Sequence, residues 1–150
     1  MNDEPTAVSC KKRLRLVDER PIKSISSTSR SLMTASSVMP WLESGVRDHV
    51  QGPNVEIVPP SAPSSEDDIV ISLQRLSVDG GGGSLKAMVL LVVQQHGAEP
   101  IVARGHDTAM NLASADGELR SLLNSSLHNA LQLAVPAITA CPNTASKHQP

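Results

Sequence analysis

Residues 79–94 read DGGGGSLKAMVLLVVQ, and this stretch decides which fold the chain adopts. All odd positions from 85 to 93 are apolar, which is the two-residue period of a β-strand. Three of the even positions between them are apolar as well, namely Met88, Leu90 and Val92. A strand that is apolar on both faces is typical of the centre of a sheet, and we expect its second face to be partly covered by a helix or a partner.

The glycines at 80–83 raise the question of a phosphate-binding loop. They lack the G-x-x-x-x-G-K-[ST] spacing, and they lead into a strand. A phosphate loop must open a helix whose amide groups face the anion. We therefore interpret the four glycines as a flexible hairpin loop.

The segment before the glycines, residues 69–78, is a second predicted strand, in which the apolar residues change from odd to even positions. Its apolar residues stand at odd positions from 69 to 73 and then at positions 76 and 78. Since successive side chains point to opposite faces, this change would turn half of the strand away from the core. One extra residue at a bulge near Gln74 or Arg75 restores a single core face, and we predict such a bulge.

The segment after the central strand is predicted to form a turn at 96–100, a last strand at 101–112 and a helix. The strand is more polar inside and is interrupted by Gly105, a composition typical of a sheet edge. Ser114 or Asp116 can cap the helix, and Pro136 is predicted to end or kink it. Its apolar stripe, at spacings of three and four, comprises Leu119, Leu122, Leu123, Leu127, Ala130, Leu131 and Ala134.

The first half of the chain contributes a short strand at 14–17, a helix and another short strand at 55–58. Residues 23–37, rich in Ser and Thr, are interpreted as a flexible connector. The helix follows with Pro40 in its first turn and Gly52 with Pro53 as its stop. Its apolar residues at helical spacing are Val38, Trp41, Leu42 and Val46.

Together these elements predict an α/β (α+β) fold, a two-layer sandwich of a mainly antiparallel sheet with two helices on one face. The predicted order is β-α-β-β-β-β-α. We expect a disordered tail over residues 1–12, a single domain over 13–138 and a second disordered tail over 139–150.

Composition and spacing exclude several functions. A net charge of −2 and a single aromatic residue, Trp41, argue against a nucleic-acid partner. The five histidines show no metal-binding spacing, and His106 and Asp107 point to opposite faces of a strand. No G-x-S-x-G turn is present to expose a nucleophile. We therefore predict no enzymatic activity, no catalytic residues, no metal and no cofactor.

The two cysteines, Cys10 and Cys141, lie near opposite ends of the chain. A disulfide requires both ends to meet, and two free thiols are the simpler expectation. Residues 7–10, AVSC, resemble the end of a bacterial lipobox but lack a hydrophobic stretch before them. No run of 18 apolar residues exists. Membrane attachment is thus expected only if a lipoprotein signal is missing from this chain, and the chain as written is expected in the cytoplasm.

The order of elements resembles small bacterial envelope lipoproteins of the YajG type and, more distantly, the PqiC-type auxiliary lipoproteins of ABC transport. Residues 16–20, LVDER, are similar to their early strand ending in D-x-R, and residues 38–50 to their first helix. The segments 68–78, 85–95 and 101–112, with the Leu-rich helix, are similar to their meander and last helix. The resemblance covers about residues 13–135, and Asp18 and Arg20 are the polar residues carried over from it.

The resemblance implies a non-catalytic accessory protein of the cell envelope, docking on a transport or envelope assembly through a sheet edge or an exposed sheet face. The alternative is a cytoplasmic interaction module that self-associates through its edge strand. Either function needs a protein partner or a second copy. For Asp18 and Arg20 a salt bridge or a turn cap is the structural alternative to a functional role. The candidate interaction surface comprises Met88, Leu90, Val92 and Thr108.

Overall fold

The structure, a computed structural model, describes residues 6–7, 10–20, 35–52, 54–63, 65, 68–81, 84–110 and 116–140. These residues form seven strands and two helices. In chain order the elements are β1 (Thr6–Ala7), β2 (Lys12–Asp18), α1 (Ala35–His49), β3 (Val50–Gln51), β4 (Val55–Val58), β5 (Asp68–Gly81), β6 (Ser84–Gln95), β7 (Ile101–Met110) and α2 (Asp116–Thr139).

Five of the strands form one sheet in the order β4-β2-β5-β6-β7. Strand β2 lies between β4 and β5 and pairs with both in parallel, whereas the longer pairings β5–β6 and β6–β7 are antiparallel. The sheet is therefore mainly antiparallel by paired length. This architecture confirms the predicted α+β class and the order β-α-β-β-β-β-α, and it confirms a central position for β6. The two-residue strands β1 and β3, which pair with each other in parallel, were not predicted.

The predicted bulge is present in β5. Leu73 pairs with Leu91 of β6, but the next pair in register joins Arg75 to Leu90, so that Gln74 is the extra residue. Residues on both sides of the bulge consequently face the same core: Leu73 and Leu76 are both buried. The change of parity in the sequence is thus the signature of this bulge.

The core is a single apolar cluster between the sheet and the two helices. The odd residues of β6, from Leu85 to Val93, are all buried in it. Helix α2 packs on β6 and β7, while α1 packs on β2 and on α2. Both helices therefore lie on one face of the sheet, as predicted. The buried side of α2 comprises Leu122, Leu123, Leu127, Ala130, Leu131, Ala134 and Ile138.

Both helices extend beyond the proline that was predicted to bound them. Helix α1 begins at Ala35, so Pro40 lies inside it and the predicted connector ends before residue 35. Helix α2 continues past Pro136 to Thr139, and the amide of Ala140 still donates to the carbonyl of Pro136. A proline removes one backbone donor, and packing of the flanking turns offsets that loss, since Val38 and Ile138 are fully buried.

The turns and ends also differ from the expectations. Strand β5 extends to Gly81, which pairs with Ser84, so the hairpin connection is shorter than the predicted four-glycine loop. At the N-terminus, β1 and the start of β2 fall within the predicted disordered tail over residues 1–12, because both are held by parallel pairing. Most of the connector 23–37 and the C-terminal residues 141–150 lie outside the described residues.

Candidate docking surface

The sheet face opposite the helices, called here the open face, carries a continuous apolar stripe. In the sheet register Val102 of β7 is directly opposite Val92 of β6, and Leu90 and Met88 follow along β6 on the same face. Val70 of β5 extends the stripe, since it pairs with Gln94 on that face. Four of these five residues are half-buried by sheet neighbours, and Val102 is 60% exposed. Neither helix covers this stripe.

Basic side chains flank the stripe. Arg75 of β5 and Arg104 of β7 stand on either side of Leu90 in the register, and both are exposed. Lys86 and His106 are exposed on the same face nearer the glycine hairpin. The stripe with this rim is the surface we call the cationic docking face. The predicted residues Met88, Leu90, Val92 and Thr108 all lie on it, because Thr108 pairs with Lys86.

Sequence reasoning missed Val70, Arg75, Arg104 and Val102 as members of this face. The signal was available for Arg75: the bulge that restores the core parity also turns this residue to the side opposite Leu76. Val102 and Arg104 required the register of β7 on β6, which depends on where the turn at 96–100 closes.

Strand β7 lies at the sheet edge, as its composition predicted. Two of its backbone groups are already satisfied within the chain. The carbonyl of His106 accepts a hydrogen bond from Asn129 Nδ2 of α2 at 2.9 Å, and the amide of Thr108 donates to Asp107 Oδ1 at 2.9 Å. A strand added by a partner would have to break both bonds. The middle of this edge is therefore protected against strand addition.

The β2 end of the open face is occupied by a loop that Arg15 holds in place. The guanidinium of Arg15 donates to the carboxylate of Asp68 at 2.7 and 3.0 Å and to four backbone carbonyls of residues 59–63. Arg13 adds an ion pair to Asp68 at 3.2 Å. The hydrogen bond from Arg15, helped by the Ser65 amide and by the charges of both arginines, outweighs burial and lowers the pKa of Asp68 below its ordinary value. These arginines thus hold the loop of residues 59–63 against the sheet.

Asp18 and Arg20 form a bidentate ion pair directly after β2. Nε and Nη2 of Arg20 donate to the two carboxylate oxygens of Asp18 at 2.8 and 2.9 Å, and the Arg20 amide donates to Oδ1 at 3.2 Å. Arg20 is buried. This geometry corresponds to the salt bridge and turn cap expected from the sequence as the structural alternative to a functional role. The pair lies on the side of β2 away from the apolar stripe. A functional role for the pair remains a prediction from the resemblance.

A cleft of about 780 Å³ lies between α1 and α2 on the opposite side of the molecule. His49 of α1 and His128 of α2 meet in it, with 2.7 Å between Nε2 of His49 and Nδ1 of His128. Nearby, Trp41 Nε1 donates to Asn124 Oδ1 at 2.8 Å. The histidine pair was not predicted, because its members are 79 positions apart and only the contact of the two helices brings them together.

Cys10 is disulfide-bonded. This contradicts the expectation of two free thiols. Its sulfur, being in a disulfide, carries no thioether-linked lipid in this state. The other cysteine of the sequence, Cys141, lies outside the described residues, but Ala140 directly before it accepts a hydrogen bond from Lys12 Nζ, two residues after Cys10. The two ends of the domain therefore meet.

Within the described ranges, no helix is both long and apolar enough to cross a membrane. The same part of the chain holds no cluster of three or more side chains suited to bind a metal ion.

Comparison with known proteins finds no matching family model and no matching curated protein. Among solved structures, the chain is similar to a minor lipoprotein from Acinetobacter baumannii, with 12% identity and a TM-score of 0.42 over 89% of this chain and 98% of that one. Rare lipoprotein B from Shewanella oneidensis has 16% identity and a TM-score of 0.44 over 91% and 96%. A PelC dodecamer from Paraburkholderia phytofirmans has 15% identity and a TM-score of 0.42 over 85% and 94%.

Two of these three structures are named as lipoproteins. None of the three names specifies the YajG-type or the PqiC-type family. At TM-scores below 0.5 the structural similarity assigns no function.

Proposed function

We propose that this protein is a non-catalytic accessory protein of the bacterial cell envelope that docks onto a transport or envelope assembly through its cationic docking face. The observation that carries the proposal is the apolar stripe across β5, β6 and β7 on the side that neither helix covers. An uncovered sheet face with a contiguous apolar area is typical of an interaction site. The disulfide at Cys10 supports a location in the cell envelope, because such bonds persist in oxidising compartments such as the periplasm.

The rim determines the chemistry of the partner. Because Arg75 and Arg104 flank Leu90, an isologous dimer through this face would bring like charges together. A partner with an apolar centre and acidic side chains around it is complementary instead. We therefore assign the face to an acidic surface of a protein in the assembly.

Two other modes of docking are disfavoured by the geometry. The alternative, a module that self-associates through its edge strand, would add a strand at β7. There the carbonyl of His106 and the amide of Thr108 already have hydrogen-bond partners within the chain. Insertion into a bilayer requires apolar side chains that reach about 5–10 Å below the headgroups. Met88, Leu90 and Val92 are half-buried in a sheet surface, a geometry that suits a flat protein partner better than a membrane.

The test is photo-crosslinking in bacterial cells that produce the full chain, with a photoreactive amino acid at position 90. Position 133, where Leu133 is 60% exposed on α2, serves as the control. We expect a discrete envelope protein to be crosslinked from position 90 and not from 133. The product should disappear in the double variant Arg75→Glu/Arg104→Glu and decrease as salt is raised.

Several results would reject this proposal. Crosslinks only between copies of the chain would assign the face to a dimer. Binding to phosphatidylglycerol vesicles without a crosslinked protein would assign it to the membrane. Equal products from positions 90 and 133 would remove the face as a specific site. Recovery of the protein wholly in the cytosolic fraction would contradict the envelope location.

A further inference from the structure

The geometry of the cleft between α1 and α2 fixes how protons are arranged on its two histidines. Nδ1 of His49 lies 2.8 Å from the carbonyl oxygen of Gly45. A carbonyl oxygen only accepts, so this nitrogen carries a hydrogen. In a neutral ring Nε2 of His49 is then an acceptor, and Nδ1 of His128, 2.7 Å away, must be the donor.

The same reasoning sets how many protons the pair can bind. One added proton on either ring leaves one N–H and one lone pair between the rings, so the hydrogen bond persists. A second added proton places an N–H on both facing nitrogens. The bond is then lost and two positive rings stand with centroids 4.8 Å apart. The helix–helix contact therefore tolerates one extra proton and not two.

We propose that the His49–His128 pair is a proton-binding site that releases α1 from α2 when it takes up a second proton. The pair joins the helices beside a tight packing contact: a Cβ atom at Gly45 would lie 2.6 Å from Cδ2 of Leu127. The second contact of the cleft, between Trp41 and Asn124, lies on the same helix pair and loses its support when the helices separate.

Among the described residues that line the cleft, no net negative charge faces the pair. Asp48 of α1 and Arg120 of α2 both line the cleft, and they carry opposite charges. On its other side His128 lines a shallow depression at the β7 edge together with Arg104 and His106, whose side chains the sheet register places on the open face. Glu43 of α1 is engaged by Arg47 at 2.7 Å. A second proton on the pair is thus not balanced by a net negative charge from the described residues that line the cleft.

Trp41 is the only tryptophan of the chain, and it reports directly on this contact. The experiment follows its fluorescence in the full chain from pH 8 to pH 4.5, with far-UV circular dichroism to confirm that the fold persists. We expect the emission to shift to longer wavelength as the pH falls through this range. His49→Gln and His128→Gln should remove the transition, and His96→Gln, at an exposed turn position, should retain it.

Two further readouts hold even if a variant folds poorly. Nitrogen-15 spectra of the wild-type rings at pH 8 should show hydrogen on Nδ1 of both His49 and His128. At the acidic end of this pH range the two histidines of the unfolded chain bind one proton more than the folded pair does. The equilibrium constant for unfolding should therefore rise about tenfold for each unit by which the pH falls. A constant Trp41 emission over the whole range, a transition that survives both glutamine variants, or hydrogen on Nε2 of His128 would overturn the proposal.

Discussion

Gly105 of β7 and Ala130 of α2 are in contact through their backbones. A Cβ atom added at Gly105 would lie 2.3 Å from the amide nitrogen of Ala130 and 2.1 Å from the carbonyl oxygen of Ser126. A glycine in a strand often marks such a close approach of another backbone. The glycine that made β7 look interrupted in the sequence is thus what allows α2 to lie against the sheet.

Replacing this glycine tests the contact. Gly105→Ala should lower the free energy of unfolding by about 3 kcal/mol or more, because the added methyl group meets rigid helix backbone and not a mobile side-chain end. Urea denaturation measures the loss. Gly97→Ala is the control, since its φ of +80° costs about 1–2 kcal/mol without any steric contact. A loss at Gly105 no larger than at Gly97 would contradict the contact.

Helix α2 offers a matched pair of leucines for testing the core. Leu123 is fully buried, whereas Leu133 on the same helix is 60% exposed. Leu123→Ala should cost about 2–5 kcal/mol because it leaves a cavity, and Leu133→Ala should change the stability by less than about 0.5 kcal/mol. Thermal or urea unfolding of the two variants checks this difference. Similar losses in both would mean that α2 is rotated relative to the sheet.

Alternation of apolar residues was sufficient to predict most of the fold. The period of two in β6, the change of parity in β5 and the apolar stripe of α2 each correspond to a buried row. The first-turn position predicted for Pro40 was wrong, and α2 continues past Pro136, since proline acts locally whereas burial of Val38 and Ile138 depends on the whole core. Local signals are weakest where tertiary packing offsets them.

The sites were less accessible to sequence reasoning. Met88, Leu90 and Val92 were identifiable because they repeat the strand period on the second face. By contrast, Arg15 appears in the sequence as one cation among several, and only the fold brings it to Asp68 and the carbonyls of residues 59–63. His49 and His128 likewise have no sequence spacing that indicates a pair. Contacts between distant segments depend on the register and packing of the whole fold.

Asp68 should give the protein a measurable acid sensitivity. Its pKa is lowered in the folded state, chiefly by the hydrogen bond from Arg15. The stability that this provides is complete above the ordinary aspartate range of about 3.9 and is lost as the pH falls through the lower folded value. Urea unfolding between pH 6 and pH 2.5 should show this loss in the wild type.

Asp68→Asn removes the titrating group, and the variant should be less stable at pH 6 but less dependent on pH below 4. Glu56→Gln, which changes an exposed carboxylate on the neighbouring strand β4, is the control and should retain the wild-type slope. The same slope in the Asp68→Asn variant would mean that other carboxylates account for the acid sensitivity.

The disulfide at Cys10 should tie the two ends of the domain together. Lys12 already contacts Ala140, so we predict that a non-reduced peptide map links Cys10 to Cys141. Closing so long a loop is worth about 2–5 kcal/mol, and reduction should lower the Tm accordingly. Cys10→Ser should melt at the reduced Tm with or without reductant. Two titratable thiols in the protein isolated without reductant would contradict this prediction.

Asn129 should keep β7 from pairing with a second copy of the chain. Its side-chain amide satisfies the outward carbonyl of His106. Asn129→Ala leaves that carbonyl to water, and strand pairing between two copies can then restore the lost hydrogen bond, which corresponds to about a tenfold rise in the self-association constant. Light scattering coupled to size-exclusion chromatography measures this rise over a range of concentrations. Gln132→Ala, one turn further along the same exposed side of α2, should behave like the wild type. If Asn129→Ala also remains at the wild-type mass, then this hydrogen bond is not what prevents pairing at the edge.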